Sequence, residues 1–251
     1  SSSCRVVNAG SVPGPAPSPV PTMTPNPNLT MTPTGIVALP PHVPPLPIQA
    51  PANDPVFVGA GDIADCRSRG DEATAKLLDS IDGTVFILGD NACNSGTSSE
   101  LRNCYDPTWG RHAAQTWPSA ENHDYRSRDA RPYYDYFGDR AGQRGKGYYS
   151  YNLGVWHIVV LNSEISMRPF WDALYEYGAD VVLNGHDHHY ERLAPQDTPG
   201  RADSIKGIRE FVVGAGGRAF YSMKSIKPNS VVHNNKTWGV LKMTLRPTSY
   251  D

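Results

Sequence analysis

The sequence has neither a large excess of positive charge nor a long apolar run, the features typical of nucleic-acid-binding and membrane-spanning proteins. Its formal net charge is only −2, so there is no general basic field that would attract nucleic acid. Its apolar stretches, such as residues 155–161, are far too short to span a bilayer. We therefore expect no nucleic-acid partner and no membrane span.

Charge is almost absent from residues 1–52, where Arg5 is the exception and where most of the prolines lie. Proline removes backbone donors and favours extended polyproline II, so this segment is predicted to be a semi-rigid linker or tail. The folded domain is predicted to occupy residues 53–251. The start, Ser-Ser-Ser-Cys4, resembles the remnant of a lipid-attachment site, so a lipid or cell-surface tether through the tail is an alternative to a plain spacer. Tethers of this composition favour an extracytoplasmic location, either secreted or surface-tethered.

The folded part alternates between predicted strands and helices. A strand at 56–60, an amphipathic helix at 70–81 and a strand at 84–88 make a βαβ unit. Residues 94–106 and 130–147 are predicted to be loops. Helices are also predicted at 107–116 and 167–177, and strands at 147–152, 155–161, 179–183, 209–214 and 238–245. This alternation predicts the α/β class with mixed sheets.

The most informative stretch is Asn184 to Arg192, which reads NGHDHHYER directly after a predicted buried strand. Strand ends in α/β sheets are where loops converge on ligands. His186 and His188 are two apart, so both imidazoles can point at one locus when the backbone is extended or turning. A solvated histidine-rich turn is the alternative interpretation of this stretch alone.

Similar junctions occur upstream. The strand at 56–60 ends in Gly61-Asp62, the strand at 84–88 ends in Gly89-Asp90-Asn91, and Asn122-His123-Asp124 follows a proline-marked loop. A single Asp after Gly is more commonly a turn or helix-capping residue. Together, however, carboxylate, amide and imidazole donors suit Fe, Mn, Zn or Mg.

In this order the motifs resemble those of the calcineurin-like metallophosphoesterases, and within them the purple acid phosphatase branch. The matching segments are Asp62-Ile63-Ala64, Gly89-Asp90-Asn91-Ala92-Cys93, Asn122-His123-Asp124, Gly185-His186-Asp187-His188 and Tyr190-Glu191-Arg192. The resemblance covers most of the chain from about residue 55 onward. It implies two face-to-face mixed β-sheets flanked by helices, and hydrolysis of small phosphomonoesters at a dinuclear centre of Fe, Mn or Zn.

The resemblance also implies a ligand set for two metal ions. Asp90 would bridge the two ions, which such sites hold roughly 3.5–4 Å apart. Asp62 and His188 would be the further ligands of one ion, and Asn122 and His186 would be those of the other. The attacking group would be a hydroxide held by the metals.

The resemblance gives His123 a different role, in which it binds no metal. Its neighbour Asp124 is expected to hold the tautomer of His123 and to keep its imidazole charged. A charged imidazole there would stabilise the phosphoryl oxygens or protonate the leaving alkoxide. A structural His–Asp hydrogen bond is the alternative.

Three features depart from the family pattern. Cys93 stands where the purple enzymes have a tyrosine that binds ferric iron, so we expect no purple colour, and the thiol could bind metal or join a disulfide. Glu121 replaces the usual glycine before Asn-His-Asp, where a side chain would crowd the turn. Relatives also carry a helix and a strand between the equivalents of Ser166 and Met167, ending in a histidine that binds the second metal. A non-catalytic metal- or phosphate-binding remnant with an incomplete second site is therefore the alternative function.

The four cysteines permit disulfides, but their spacing leaves the pairing open. Cys66 and Cys104 each lie a few residues beyond a loop with candidate metal ligands. This placement favours a Cys66–Cys104 pair, with Cys93–Cys104 as the rival.

Overall fold

Twelve strands form two larger sheets and two small ones in the part of the chain that the computed structural model describes, residues 54–162, 164, 170–223 and 225–251. In chain order they are β1 (Val56–Ala60), β2 (Ala64–Asp65), β3 (Thr84–Leu88), β4 (Ala92–Cys93), β5 (Thr116–Ser119), β6 (Tyr149–Leu153), β7 (Trp156–Val160), β8 (Val181–Asn184), β9 (Tyr190–Leu193), β10 (Arg209–Val213), β11 (Ser230–Asn234) and β12 (Leu241–Thr244). The proline-rich tail at 1–52 and the junction of Ser166 with Met167 lie outside the described residues.

Helices and helical turns connect these strands. The α-helices are α1 (Gly70–Leu78), α2 (Ser98–Glu100), α3 (Arg131–Phe137) and α4 (Phe170–Glu176). A π-helical turn follows α2 at Leu101–Tyr105, and 3-10 turns occur at Trp109–Gln115, Asp124–Arg126, Arg128–Ala130 and Gly138–Ala141. None of the described helices is long and apolar enough to cross a bilayer.

The two larger sheets are both mixed, which confirms the predicted α/β class. The first has the strand order β12-β1-β3-β5, with β1, β3 and β5 parallel and β12 antiparallel to β1. The second has the order β11-β9-β10-β8, with β8 and β10 parallel and β9 antiparallel to both of its neighbours. Side chains of both sheets, among them Val58, Phe86 and Phe211, belong to one buried core. The sheets therefore pack face to face.

The helix α1 begins where predicted but ends earlier. Its buried side includes Thr74, Ala75 and Leu78, whereas the apolar Leu77 is 44 % exposed. Hydrogen bonds place the polar Thr74 on the buried side. The Thr74 hydroxyl donates to the Gly216 carbonyl at 2.5 Å and accepts from the Trp109 indole at 2.9 Å. These bonds hold Thr74 on the buried side of the helix, although apolar periodicity alone would not place a threonine there.

Two segments predicted to be loops contain helices. In the first, Thr97 and Glu100 form a capping box that begins α2. In the second, Pro132 lies in the first turn of α3, where proline is well tolerated. The aromatic side chains of Tyr133 and Phe137 on α3 are buried in the core, so tertiary packing stabilises a helix that composition did not predict.

The strand β5 was also missed, because Pro118 lies in it. Proline cannot donate to a ladder, but it is tolerated on an edge strand, and β5 is the edge of its sheet. The strand matters for function, because it delivers the Asn122 loop to the same end of the sheet as the loops that follow β1 and β3.

The disulfide joins Cys66 and Cys104, with their Cα atoms 5.1 Å apart, as predicted. It ties the loop after β2 to the π-helical turn after α2. Cys93 is free and buried, so the rival pairing and the possible disulfide at Cys93 are both wrong.

Candidate metal centre

The predicted ligands converge because the carboxyl ends of four strands meet at one place. Asp62 follows β1, Asp90 follows β3 and Asn122 follows β5, all three strands being parallel in the first sheet. His186 and His188 follow β8 of the second sheet. The site therefore lies where both sheets end, in agreement with the usual position of ligands in α/β proteins.

Glycine permits this close approach of the two sheets. A Cβ atom on Gly185 would lie 2.3 Å from the carbonyl oxygen of Leu88, and one on Gly214 would lie 2.7 Å from Oδ2 of Asp62. Both distances are shorter than real Cβ contacts, so a side chain at either position would force neighbouring atoms to move. The loop after β8 and the loop after β10 can therefore pack on the ends of β1 and β3 only without side chains at these two positions.

Backbone strain is concentrated at the candidate ligands. Asp62, Asp90 and His186 have φ values of +57°, +49° and +70°, and they are three of the five non-glycine residues with positive φ in the described chain. Such conformations cost roughly 1–3 kcal/mol each and persist where the surroundings over-determine them, often at functional sites. Here these conformations coincide with three of the five candidate metal ligands.

Asp62 and His188 form one group of donors. Nε2 of His188 lies 3.1 Å from Oδ1 of Asp62, and both side chains are buried. Nδ1 of His188 donates to the carbonyl of Ala219 at 2.7 Å, and its ring stacks on Tyr221 at a centroid distance of 3.9 Å. Because Nδ1 carries the proton, the lone pair of Nε2 is directed towards Asp62, which is the arrangement of a metal-ligating histidine held by an outer partner.

His186 belongs to a second group with Asn122 and Asp90. Its Nδ1 lies 3.2 Å from Oδ1 of Asn122. A carboxylate oxygen of Asp90 and a ring nitrogen of His186 belong to a set of donor atoms that all lie within 4.8 Å of one another. The third member of that set is Glu121, whose Oε1 is 2.8 Å from the same His186 nitrogen.

The position of Glu121 differs from the expectation that it would crowd its turn. Its backbone N–H donates to Oδ2 of Asp124 at 2.9 Å, and its side chain points inward and is 0 % exposed. The turn is therefore accommodated without a glycine, and the site gains a carboxylate.

The electrostatics of this region favour a cation. Burial and the carboxylates of Asp62 and Asp124 raise the pKa of Asp90 well above its ordinary value. Burial, together with Asp90, also raises the pKa of Glu121 well above its ordinary value. Within the described residues, the carboxylate oxygens of Asp62 and Glu121 accept no hydrogen bond. Such oxygens are costly to bury unless a positive charge faces them, so the donor set fits hard or borderline metal ions.

His123 lies at the same site with different partners from those predicted. Its Nδ1 donates to the backbone carbonyl of Asn94 at 2.5 Å, so this carbonyl, not Asp124, sets the tautomer. Its Nε2 lies 3.6 Å from Oδ2 of Asp90 and 3.4 Å from Nη1 of Arg218. Burial lowers the pKa of His123 and the nearby Arg218 lowers it further, while the hydrogen bond to the Asn94 carbonyl opposes both effects.

Asp124 instead connects two loops of the site through hydrogen bonds. Its Oδ2 accepts from the Asn91 side chain at 3.0 Å and from the Glu121 amide at 2.9 Å. Burial raises the pKa of Asp124 to about 7. The residue links the loop after β3 to the loop after β5, because Asn91 belongs to the first and Glu121 to the second.

Arg218 is the functional candidate that the sequence did not reveal. It lies in the glycine-rich loop after β10, and its backbone N–H donates to the carbonyl of Asp62 at 3.1 Å. Its guanidinium donates to Sγ of Cys93 at 2.8 Å and reaches Oδ1 of Asn94 at 3.4 Å. The only sequence signal was a strand followed by Gly214-Ala215-Gly216-Gly217-Arg218, a junction like those of the metal ligands.

Cys93 is a buried thiol beside this arginine. Burial raises the pKa of the Cys93 thiol, which favours the neutral form. Its sulfur nevertheless lies within 4.8 Å of donor atoms of Asp90 and His123.

Comparison with solved structures shows the class of fold. The purple acid phosphatase PPD1 from seeds of yellow lupin (Lupinus luteus) superposes with a TM-score of 0.58 and 15 % identity, over 79 % of this chain and 50 % of that one. The second structure is GAP50, the anchor in the inner membrane complex of Plasmodium, with a TM-score of 0.52 and 10 % identity over 76 % of this chain and 81 % of that one. No family model and no curated protein sequence matches.

These comparisons confirm the resemblance to the metallophosphoesterases at the level of the fold. The chain has the two-sheet sandwich of that class, and it spans half the length of the lupin phosphatase. Sequence identities this low establish architecture, while activity depends on the particular site grafted on it.

Proposed function

We propose that this protein is a metal-dependent phosphoesterase that hydrolyses phosphomonoesters at a centre of two metal ions. The observation that carries the proposal is that Asp62, Asp90, Asn122, His186 and His188 lie where both sheets end, and that the buried Asp62 carboxylate accepts no hydrogen bond from the described residues. Asp90 is assigned as the bridge, because its carboxylate belongs to the donor set of His186 and the carboxylate of Asp62 is close enough to raise its pKa. Fe, Mn and Zn are the metals that suit these oxygen and nitrogen ligands.

Bound ions of this kind polarise phosphoryl oxygens and lower the pKa of coordinated water. The protein supplies the remaining functions. Arg218 is a fixed, always-charged donor within hydrogen-bonding distance of Cys93 and close to His123, so it is placed to bind a phosphoryl oxygen.

His123 is assigned to proton transfer. With Nδ1 donating to Asn94, Nε2 is left to take a proton and to deliver it to the leaving alkoxide. A phosphoryl anion near Nε2 favours the protonated ring and so opposes the effect of burial on the pKa. Asp124 serves indirectly, by holding the two loops that carry Asp90 and Asn122.

A non-catalytic binding module is the second candidate function. It is favoured by the similarity to GAP50, which acts as an anchor and shares this fold. In this case the metal ligands would serve binding or stability, and His123 and Arg218 would have no substrate to act on.

We also place the protein outside the cytoplasm, either secreted or tethered through its proline-rich tail. The Cys66–Cys104 disulfide supports this location, because disulfides form and persist mainly in oxidising compartments.

Metal content per chain, measured together with hydrolysis of an aryl phosphate, tests the two candidates. The phosphoesterase predicts bound metal and hydrolysis, both of which a chelator removes. Bound metal without hydrolysis of any phosphomonoester tried supports the binding module instead.

A further inference from the structure

Glu121 is a carboxylate that the fold buries beside His186. It is 0 % exposed, and neither of its oxygens accepts a hydrogen bond from the described residues. A buried carboxylate that lacks hydrogen bonds is expensive unless a cation faces it. Nδ1 of His186 lies 2.8 Å from its Oε1.

The atoms around His186 Nδ1 are arranged as donors to a common centre. Oε1 of Glu121 and Oδ1 of Asn122 lie 2.8 Å and 3.2 Å from that nitrogen. Donor atoms of Asp90, Glu121 and His186 all lie within 4.8 Å of one another. Metal–ligand distances are about 2.0–2.2 Å, so a set of this width can surround one ion.

The backbone of Glu121 is fixed independently of its side chain. Its N–H donates to Asp124 Oδ2 at 2.9 Å, and its carbonyl accepts from the Tyr125 amide at 3.1 Å. The turn therefore presents the carboxylate to the site without requiring His186 to hold it in place.

We propose that Glu121 is a metal ligand that binds the same ion as Asn122 and His186, with Asp90 shared between the two ions. This inference rests on the proposed metal centre and extends it, since the sequence alone gave that ion three protein donors. A second carboxylate makes the position more negative and favours oxygen-seeking ions such as Mn²⁺ over softer ones. The competing explanation is a simple ion pair between Glu121 and a protonated His186.

Mn²⁺ titration of metal-stripped protein, followed by electron paramagnetic resonance of the free ion, counts sites and gives each Kd without reference to activity. We expect two sites in the wild-type chain. Glu121→Gln should keep the site of Asp62 and His188 and weaken the other by more than the roughly 10–100-fold that loss of an outer partner costs. Glu191→Gln is the matched control, because Glu191 is also buried and lies 3.5 Å from a histidine, His189, but on β9.

Melting temperature provides a second readout. If Glu121 is a ligand, the rise in melting temperature on adding Mn²⁺ should be smaller for Glu121→Gln than for the wild type, because the variant binds the ion more weakly. If Glu121 only pairs with His186, the variant should show the same rise and the same Kd for Mn²⁺ as the wild type, whatever its metal-free melting temperature, and this result overturns the proposal.

Two further outcomes are distinguishable. A wild-type chain that binds no Mn²⁺ contradicts the proposed function and this inference together. A wild type with two sites, together with a Glu121→Gln variant of unchanged affinity for Mn²⁺, contradicts the inference alone.

If Glu121→Gln folds poorly, Glu121→Asp serves in its place. It keeps the charge but shortens the reach, so we expect a Kd between those of wild type and a variant without the carboxylate, and an unchanged Kd overturns the proposal.

Discussion

Nε2 of His188 lies 3.1 Å from Oδ1 of Asp62, although one residue follows a strand of the second sheet and the other a strand of the first. The contact exists only because the two sheets end at the same place. His188 is held from behind by the carbonyl of Ala219, so its free nitrogen faces the carboxylate. This pair defines one half of the proposed metal centre.

Substitution of Asp90, the proposed bridge, should have a larger effect on metal content than substitution of Asp62. We expect Asp90→Asn to lose both ions, because a carboxylate shared by two ions serves both, and Asp62→Asn to lose mainly one. Elemental analysis of both variants checks this. Near-complete retention of metal by Asp90→Asn would show that it does not bridge.

Replacement of His123 should lower turnover without removing metal. Loss of one positioned proton donor typically costs about 10²–10⁴-fold, so His123→Ala should lose this much in kcat at saturating metal. His157→Ala is a suitable control, because His157 is exposed on β7 and bonds to Asn152. If His123→Ala loses metal, the group of Asp90, Cys93 and His123 is itself a ligand set, and the role in proton transfer is wrong.

Arg218 should contribute through its guanidinium geometry as well as its charge. Removal of one donor aimed at transition-state charge costs roughly 10²–10³-fold, so Arg218→Ala should show a loss of this order in kcat/KM. Arg218→Lys should restore only part, because a lysine cannot reproduce the planar fork. Steady-state kinetics with metal analysis measures both. An Arg218→Ala variant of normal kinetics and lowered melting temperature would assign Arg218 to supporting Cys93 alone.

The disulfide should stabilise the fold without affecting the chemistry. Removal of a native disulfide from a small domain typically costs about 2–5 kcal/mol, so we expect the double variant Cys66→Ser with Cys104→Ser to unfold at lower denaturant concentration by a corresponding amount. Peptide mapping without reduction should recover the Cys66–Cys104 link and a free Cys93. A map that joins Cys93 to Cys104 would contradict the structure.

The fold was predictable where the apolar pattern and the packing agree. The strands β1 and β3 coincide with the predicted ones, and each ends in the Gly-Asp pair that carries a ligand. The prediction failed where packing overrides local preference. Pro118 concealed the edge strand β5, and the aromatic residues of α3 form a helix because the core buries them.

Part of the candidate site could likewise be predicted from the sequence, and part could not. Asp62, Asp90 and His186 follow directly from strand ends that the sequence makes visible. The contacts of Glu121 and Arg218 depend on how loops from different strands approach one another, because Glu121 faces His186 of the opposite sheet and Arg218 reaches Cys93. No spacing within a single motif encodes such contacts.

The most direct test of the proposed function is metal restoration. The rate of p-nitrophenyl phosphate hydrolysis is measured on metal-stripped wild-type chain as Mn²⁺ or Zn²⁺ is added, with bound metal determined in the same samples and Asp90→Asn alongside. The proposed function predicts no hydrolysis without metal, a rate that rises until two ions are bound per chain, and none in Asp90→Asn at the same metal concentration. A wild-type chain that holds two ions and hydrolyses no phosphomonoester would contradict it.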